Sequence, residues 1–149
     1  MKKIFTAFIM ILIGLTLNAQ EVKIGEQNWM TSNLNVSKFQ NGDPIFEAKT
    51  KAQWQKAHED KKPAWCYFKN NPQNGAIYGK LYNWYAINDP RNVCPVDWHV
   101  PLSSEFATLS TTIGGNGTGN KLKATGFTYW LNGGGTDIYG FKAVGTGYM

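Results

Sequence analysis

Six tryptophans (Trp29, Trp54, Trp65, Trp84, Trp98 and Trp130) are spread along a chain in which long helical patterns are few and Gly and Asn are frequent. Seven Tyr and eight Phe accompany them, so large flat side chains must bury most of the area that regular elements would otherwise bury. That combination excludes a helix bundle and a doubly wound sheet, and points to a loop-rich α+β domain. With 149 residues and no internal repeat, the chain suits one domain around one core.

The first segment reads as a targeting signal. Lys2 and Lys3 form a positive start, residues 4–17 are apolar, and Leu17-Asn-Ala19 places a small residue before a cut. The apolar run, at ~14 residues, is short of the ~20 a membrane span needs. A leader over residues 1–19 predicts a mature chain starting at Gln20 or Glu21, outside the cell or on its surface, with no membrane association afterwards. The formal charge is +5, and +3 once Lys2 and Lys3 are removed. The remaining basic residues alternate with Glu47, Glu59 and Asp60 around Lys49, Lys51, Lys56, Lys61 and Lys62. This is the pattern of a solvated helix face, and nucleic acid is set aside as a partner.

Several elements are legible locally. Val22-Lys-Ile24 reads as a strand that Asn28-Trp-Met30 continues, and Asn41-Gly-Asp-Pro44 as a turn. Thr50 and Gln53 have capping-box spacing for a polar helix to about Asp60, with Trp54 and Ala57 as its buried edge and Pro63 limiting it. Leu81, Trp84 and Tyr85 predict a helix over about 80–87. Phe106, Leu109 and Ile113 predict one over 103–112, capped by Ser103 and stopped at Gly114-Gly115. Short strands are expected at 65–68, 122–124, 127–130 and 138–144.

Three motifs go further: Ile24-Gly-Glu-Gln-Asn-Trp-Met-Thr-Ser-Asn-Leu34, Cys94-Pro-Val-Asp-Trp-His-Val-Pro-Leu-Ser-Ser-Glu-Phe106, and Gly140-Phe141 with Gly147-Tyr148. With Tyr78-Gly-Lys-Leu-Tyr-Asn-Trp-Tyr-Ala86 they resemble the Fibrobacter succinogenes major paralogous domain, whose pattern runs IGxQxWMxxNL, YGxLYNWYA, CPxGWHVP, xEW and GFxxxPxGY. The resemblance covers Val22 to Tyr148. It implies a secreted bacterial module with a C-type-lectin-like fold of short antiparallel strands and two or three short helices. The signature positions are Trp29, Trp84, Trp98, His99, Pro101 and Glu105, and Trp29, Trp84 and Trp98 are expected inside. Leu102 and Phe106 depart from the family, which usually has Ser or Thr and Trp there. The family also continues past its GFxxxPxGY element into further strands, so a domain missing its C-terminal strands is expected here.

No catalytic constellation is visible. His99 is expected to be partly buried and bonded to backbone in a tight turn, and His58 to be solvated. Neither has a second His or Cys at zinc-ligand spacing. Gly114-Gly-Asn-Gly-Thr-Gly119 follows a predicted helix and lacks the Lys-Ser/Thr of a phosphate loop, and Gly133-Gly-Gly135 reads as a flexible turn. The sugar-binding triplets of calcium-dependent lectins are absent, and Asn88, Asp89 and Asp137 are scattered, so neither calcium nor any other cofactor is expected. Cys66 and Cys94 leave two pairings open. They bridge each other, worth roughly 3 kcal/mol on the chain-entropy model, or, as the resemblance implies, Cys94 pairs with a cysteine of a missing closing strand. Trp54, Trp65, Tyr129 and Trp130 lie near loops and are the candidates to stack on a sugar ring or a partner surface.

The resulting expectation is a non-enzymatic extracellular binding module for a polysaccharide or a cell-surface protein. Two alternatives stand beside it. One is an enzyme of the formylglycine-generating type, to which Tyr82-Asn-Trp84, Val100-Pro101, Glu105-Phe106 and Gly114-Gly115 are weakly similar, though its catalytic cysteines have no counterparts. The other is a structural or degenerate paralogue without a ligand.

Overall fold

Gly25 turns the first extended run back on itself. Its positive φ of 62° opens a two-residue turn with Glu26, the conformation that the twist of a tight hairpin requires. Strands β1 (Glu21–Ile24) and β2 (Gln27–Met30) therefore pair antiparallel, Val22 opposite Trp29, where the sequence suggested one continuing strand. A Cβ on Gly25 would also sit 3.0 Å from the Thr112 methyl, so the same glycine lets a later helix pack against the hairpin. The computed structural model describes residues 21–130 and 133–145. The expected leader, the Gln20 start and Tyr148 of the last motif lie outside them.

The second sheet has the order β3-β4-β5, from Phe46–Glu47, Ala64–Cys66 and Leu81–Tyr82. Its central strand β4 is buried at every residue, as a strand covered on both faces should be. Strands β3 and β4 are parallel, against the all-antiparallel expectation, because helix α1 (Lys51–Glu59) crosses over between them. The Thr50 hydroxyl caps α1 by accepting from the Gln53 N–H (3.2 Å), while the Gln53 side chain reaches past Thr50 to accept from Lys49 N–H (2.7 Å). Lys61, at φ 55°, ends the helix in the left-handed conformation.

After a one-turn helix α2 (Gly75–Tyr78), the predicted helix over 80–87 divides into β5 and a one-turn helix α3 (Trp84–Ile87). The cause is Asn83. Its side-chain carbonyl accepts from both Ala64 N–H and Ala86 N–H (3.0 Å each), its amide donates to the Lys62 carbonyl (2.7 Å), and its backbone N–H bonds the Ala64 carbonyl. One buried side chain thus ends a strand, starts a helix and ties both to β4. Trp84 is turned outward and its residue surface is 64% exposed, contrary to its expected place in the core.

Helix α4 (Ser103–Thr112) has the predicted span and ends at Gly114 and Gly115, both with positive φ. Its N-cap is Leu102, not Ser103. A leucine cannot accept a hydrogen bond, so only half of a capping box forms, with Glu105 accepting from Leu102 N–H (2.7 Å). Among the described residues, 122–124, 127–130 and 138–144 form no strands. A single parallel bridge, Lys123 to Ala143, joins them. Gly135 is there for close approach: a Cβ would overlap the Asn120 carbonyl.

Two apolar clusters hold these pieces. Phe39, Ile45, Trp65, Ala86, Val93 and Cys94 form one around β4. Ile24, Trp29, Leu109 and Ile113 form the other between the hairpin and α4. Arg91 ties two loops beside the first cluster, bonding Asp89 through Nε and Nη2 (2.8 Å each) and Asp43 through Nη1 (3.0 Å), with its guanidinium 4.1 Å above the Phe39 ring. The architecture is α+β and loop-rich, with short strands in two small sheets. Among the described residues no helix is long and apolar enough to cross a membrane.

Candidate functional site

The segment from Cys94 to Glu105 folds back on itself in two steps. Pro95 to Trp98 makes a turn closed by Trp98 N–H to the Pro95 carbonyl (3.1 Å), with Asp97 at φ 67° in its third position. That conformation is natural for glycine, which the family pattern places there, and Asp is one of the few residues that tolerate it. Gln40 clamps the start of the turn by donating to the Cys94 and Pro95 carbonyls (3.0 and 3.1 Å). Beyond the turn, Pro101 leads into α4, and Glu105 reaches back to His99 Nε2 at 2.8 Å. His99 is therefore held by a carboxylate, not by backbone, and its side chain is 64% exposed, not partly buried as expected. The Leu102 N–H first, and then His99, hold the Glu105 carboxyl below its usual range.

This turn and the start of α4 face the β1–β2 hairpin across a cleft of about 750 Å³. Trp29 stands in its wall, tilted against Phe106 (ring centroids 5.5 Å) and Phe141 (5.9 Å). Trp98 lines the cleft on one side and packs on the β4 cluster on the other, so it is half-buried rather than enclosed. Phe106, expected on the buried face of α4, is 53% exposed and lines the cleft. Tyr82 reaches it from β5, fixed by its hydroxyl donating to the Val36 carbonyl (2.7 Å). Burial in these apolar surroundings pushes the Tyr82 phenol well above its ordinary value.

Of the six signature positions, Trp29, Trp98, His99, Pro101 and Glu105 line this one cleft, and Trp84 does not. The stacking candidates do not converge on it. Trp65 is buried, donates to the Ile45 carbonyl (3.0 Å), meets Tyr67 edge-on and carries the Lys80 ammonium 4.6 Å above its ring, so no face is left for a ligand. Trp54 is half-buried on α1. Trp130 donates to the Ala143 carbonyl (3.2 Å) under Lys123. Tyr129 lines a separate, more polar hollow of about 550 Å³ with Ser32, Asn33, Ile77, Asp137 and Lys142.

Cys66 and Cys94 are both free and buried in this structure. Cys66 is central in β4, while Cys94 belongs to the apolar cluster and touches the cleft. Burial pushes the Cys66 thiol up to about 11 and raises Cys94 as well, the opposite of what activates a thiol. Among the described residues no three His, Cys, Asp or Glu side chains group as metal ligands.

The model of the family described as Fibrobacter succinogenes major domain matches residues 22–149. No curated protein and no solved structure matches the chain. The match runs through the hairpin, the Asn83 junction, the turn at Asp97 and α4, and the chain belongs to the Fibrobacter succinogenes major domain family.

Proposed function

We propose that this domain is a non-enzymatic binding module, working outside the cell or on its surface, whose ligand occupies the cleft between the hairpin and α4. One observation carries the reading: Trp29 from the hairpin and Trp98, His99, Pro101 and Glu105 from the segment leading into α4 meet around a cavity of about 750 Å³. A core needs no such opening, and a concave, largely apolar site with a few fixed polar groups is the usual form of a ligand pocket. Exposed Phe106 and Ile87 add apolar surface at its edge. The expected ligand classes are a polysaccharide or a cell-surface protein. The buried state of Trp65 moves the expected contact away from the loops first suspected and toward Trp29, Trp98 and Phe106.

The test is binding of the full chain to an immobilised panel of glycans and peptides, beside Phe106→Ser and Trp130→Ala. Loss of the parent's hits in Phe106→Ser, at unchanged circular dichroism, with retention in Trp130→Ala, is the expected result. Loss in Trp130→Ala alone would move the site elsewhere.

A further inference from the structure

The charges around the cleft are one-sided. The sequence holds 15 Lys and Arg against 10 Asp and Glu, yet four of those acids, Glu21, Glu26, Asp97 and Glu105, line the cleft and no Lys or Arg does so among the described residues. A basic protein has an acidic cleft. Two of the carboxylates are available. Asp97 makes no side-chain hydrogen bond or ion pair among the described residues. The Glu26 side chain is 95% exposed, and its only ion pair among them is with exposed Lys23 at 3.1 Å, an interaction easily exchanged for another cation.

The walls beneath are aromatic but do not form a flat platform. Trp29 is covered by Phe106 at 41° and by Phe141 at 58°, so it offers no free face for a sugar ring. The edges and partial faces of Trp98, Phe106 and Phe141 suit apolar side chains and the stem of a long cation. Two lining residues also carry buried polar atoms without hydrogen-bond partners, the donor Trp29 Nε1 and the acceptor Gln27 Oε1. Both atoms lie beneath the cleft surface, so recognition of a ligand rests on the rim acids and the aromatic edges.

Resting on the reading of the cleft as the binding site, we propose that its ligand is a cationic peptide segment with neighbouring apolar side chains, that is, an exposed basic stretch of a partner protein. Lys or Arg heads lie at the rim against Asp97 and Glu26, and apolar side chains lie on Phe106 and Trp98. Steering by the rim acids makes the interaction sensitive to salt.

The test is fluorescence anisotropy of the full chain with three labelled probes: a Lys/Leu/Phe peptide, its counterpart with Asp for Lys, and an uncharged β-linked hexasaccharide. The Lys peptide should bind at least tenfold tighter than the Asp peptide and weaken between 0.05 and 0.5 M NaCl. Glu26→Gln and Asp97→Asn should each weaken it roughly two- to fivefold without moving the melting midpoint. Equal binding of both peptides, or no binding of the Lys peptide, overturns the inference. Hexasaccharide binding that Phe106→Ser abolishes overturns the peptide inference and leaves the cleft as the site. Lys-peptide binding untouched by Phe106→Ser overturns both readings.

Discussion

Replacing Asn83 by Ala should be among the most damaging changes in this domain, although Asn83 touches no ligand. The residue is 7% exposed, and its side chain serves three backbone groups. Ala64 is fully buried, so water cannot replace the acceptor that its N–H loses, whereas Ala86 N–H keeps the Asn83 main-chain carbonyl at 3.1 Å. The orphaned Ala64 donor costs about 1–3 kcal/mol and the lost side-chain cap of α3 about 1 kcal/mol, which gives about 3 kcal/mol together. The Lys62 carbonyl belongs to an exposed residue and can turn to water, so it adds little. Against the ~5–15 kcal/mol that holds a typical domain, this is a large fraction. Asn83→Asp keeps both acceptor bonds but sets a buried carboxylate oxygen against the Lys62 carbonyl, so it should destabilise as well. Urea unfolding followed by tryptophan fluorescence measures both variants against the parent. An Asn83→Ala loss below about 1 kcal/mol would refute the assignment of Asn83 as the junction of β4, β5 and α3.

Other consequences are simpler to check. Both thiols should resist a disulfide reagent at pH 8 in the folded protein and react fully in urea, because burial hides them and raises their ionisation; rapid labelling of either without denaturant would contradict their placement. The Glu105 carboxyl titrates below its ordinary 4.5 when folded, so its stabilising effect is present above that value and fades as pH falls through it. The melting-temperature gap between the parent and Glu105→Gln should accordingly be widest near neutral pH and narrow as the pH falls below 4.5; a gap that stays constant into acid would show that the Leu102 and His99 contacts are not its source. Asp97→Gly should stabilise the protein by about 0.5 kcal/mol by relieving a positive φ, a gain readable as a small rise in melting temperature; a fall would mean that the turn at Asp97 is drawn incorrectly.

Where local chemistry decides the structure, the sequence is enough. Thr50 with Gln53 marks α1, and Leu109, Ile113 and the Gly114-Gly115 pair mark α4. The helix expected at 80–87 fails for an instructive reason. The spacing of Leu81, Trp84 and Tyr85 fits a helical face, but Asn83 finds partners on Lys62, Ala64 and Ala86, and these tertiary bonds outweigh the periodicity. The hairpin turn at Gly25-Glu26 carried a signal, a glycine between two short apolar runs, that a continuous-strand reading passed over. The cleft was less legible. Trp29, Trp98 and Glu105 were visible as signature residues, but their convergence depends on the packing of the hairpin, β5 and α4, which lie far apart in sequence. Trp65 was misjudged because its neighbourhood looks like a loop edge, whereas pairing on both sides places β4 at the centre of its sheet.

The six indole N–H signals of the ¹⁵N-labelled protein test the central claim most directly. Titration with the tightest hit from the glycan and peptide panel should shift the Trp29 and Trp98 resonances and leave those of Trp54, Trp65 and Trp130 in place. Shifts confined to Trp54 or Trp130, with Trp29 and Trp98 unmoved, would contradict the account and leave the signature cleft a feature of packing alone.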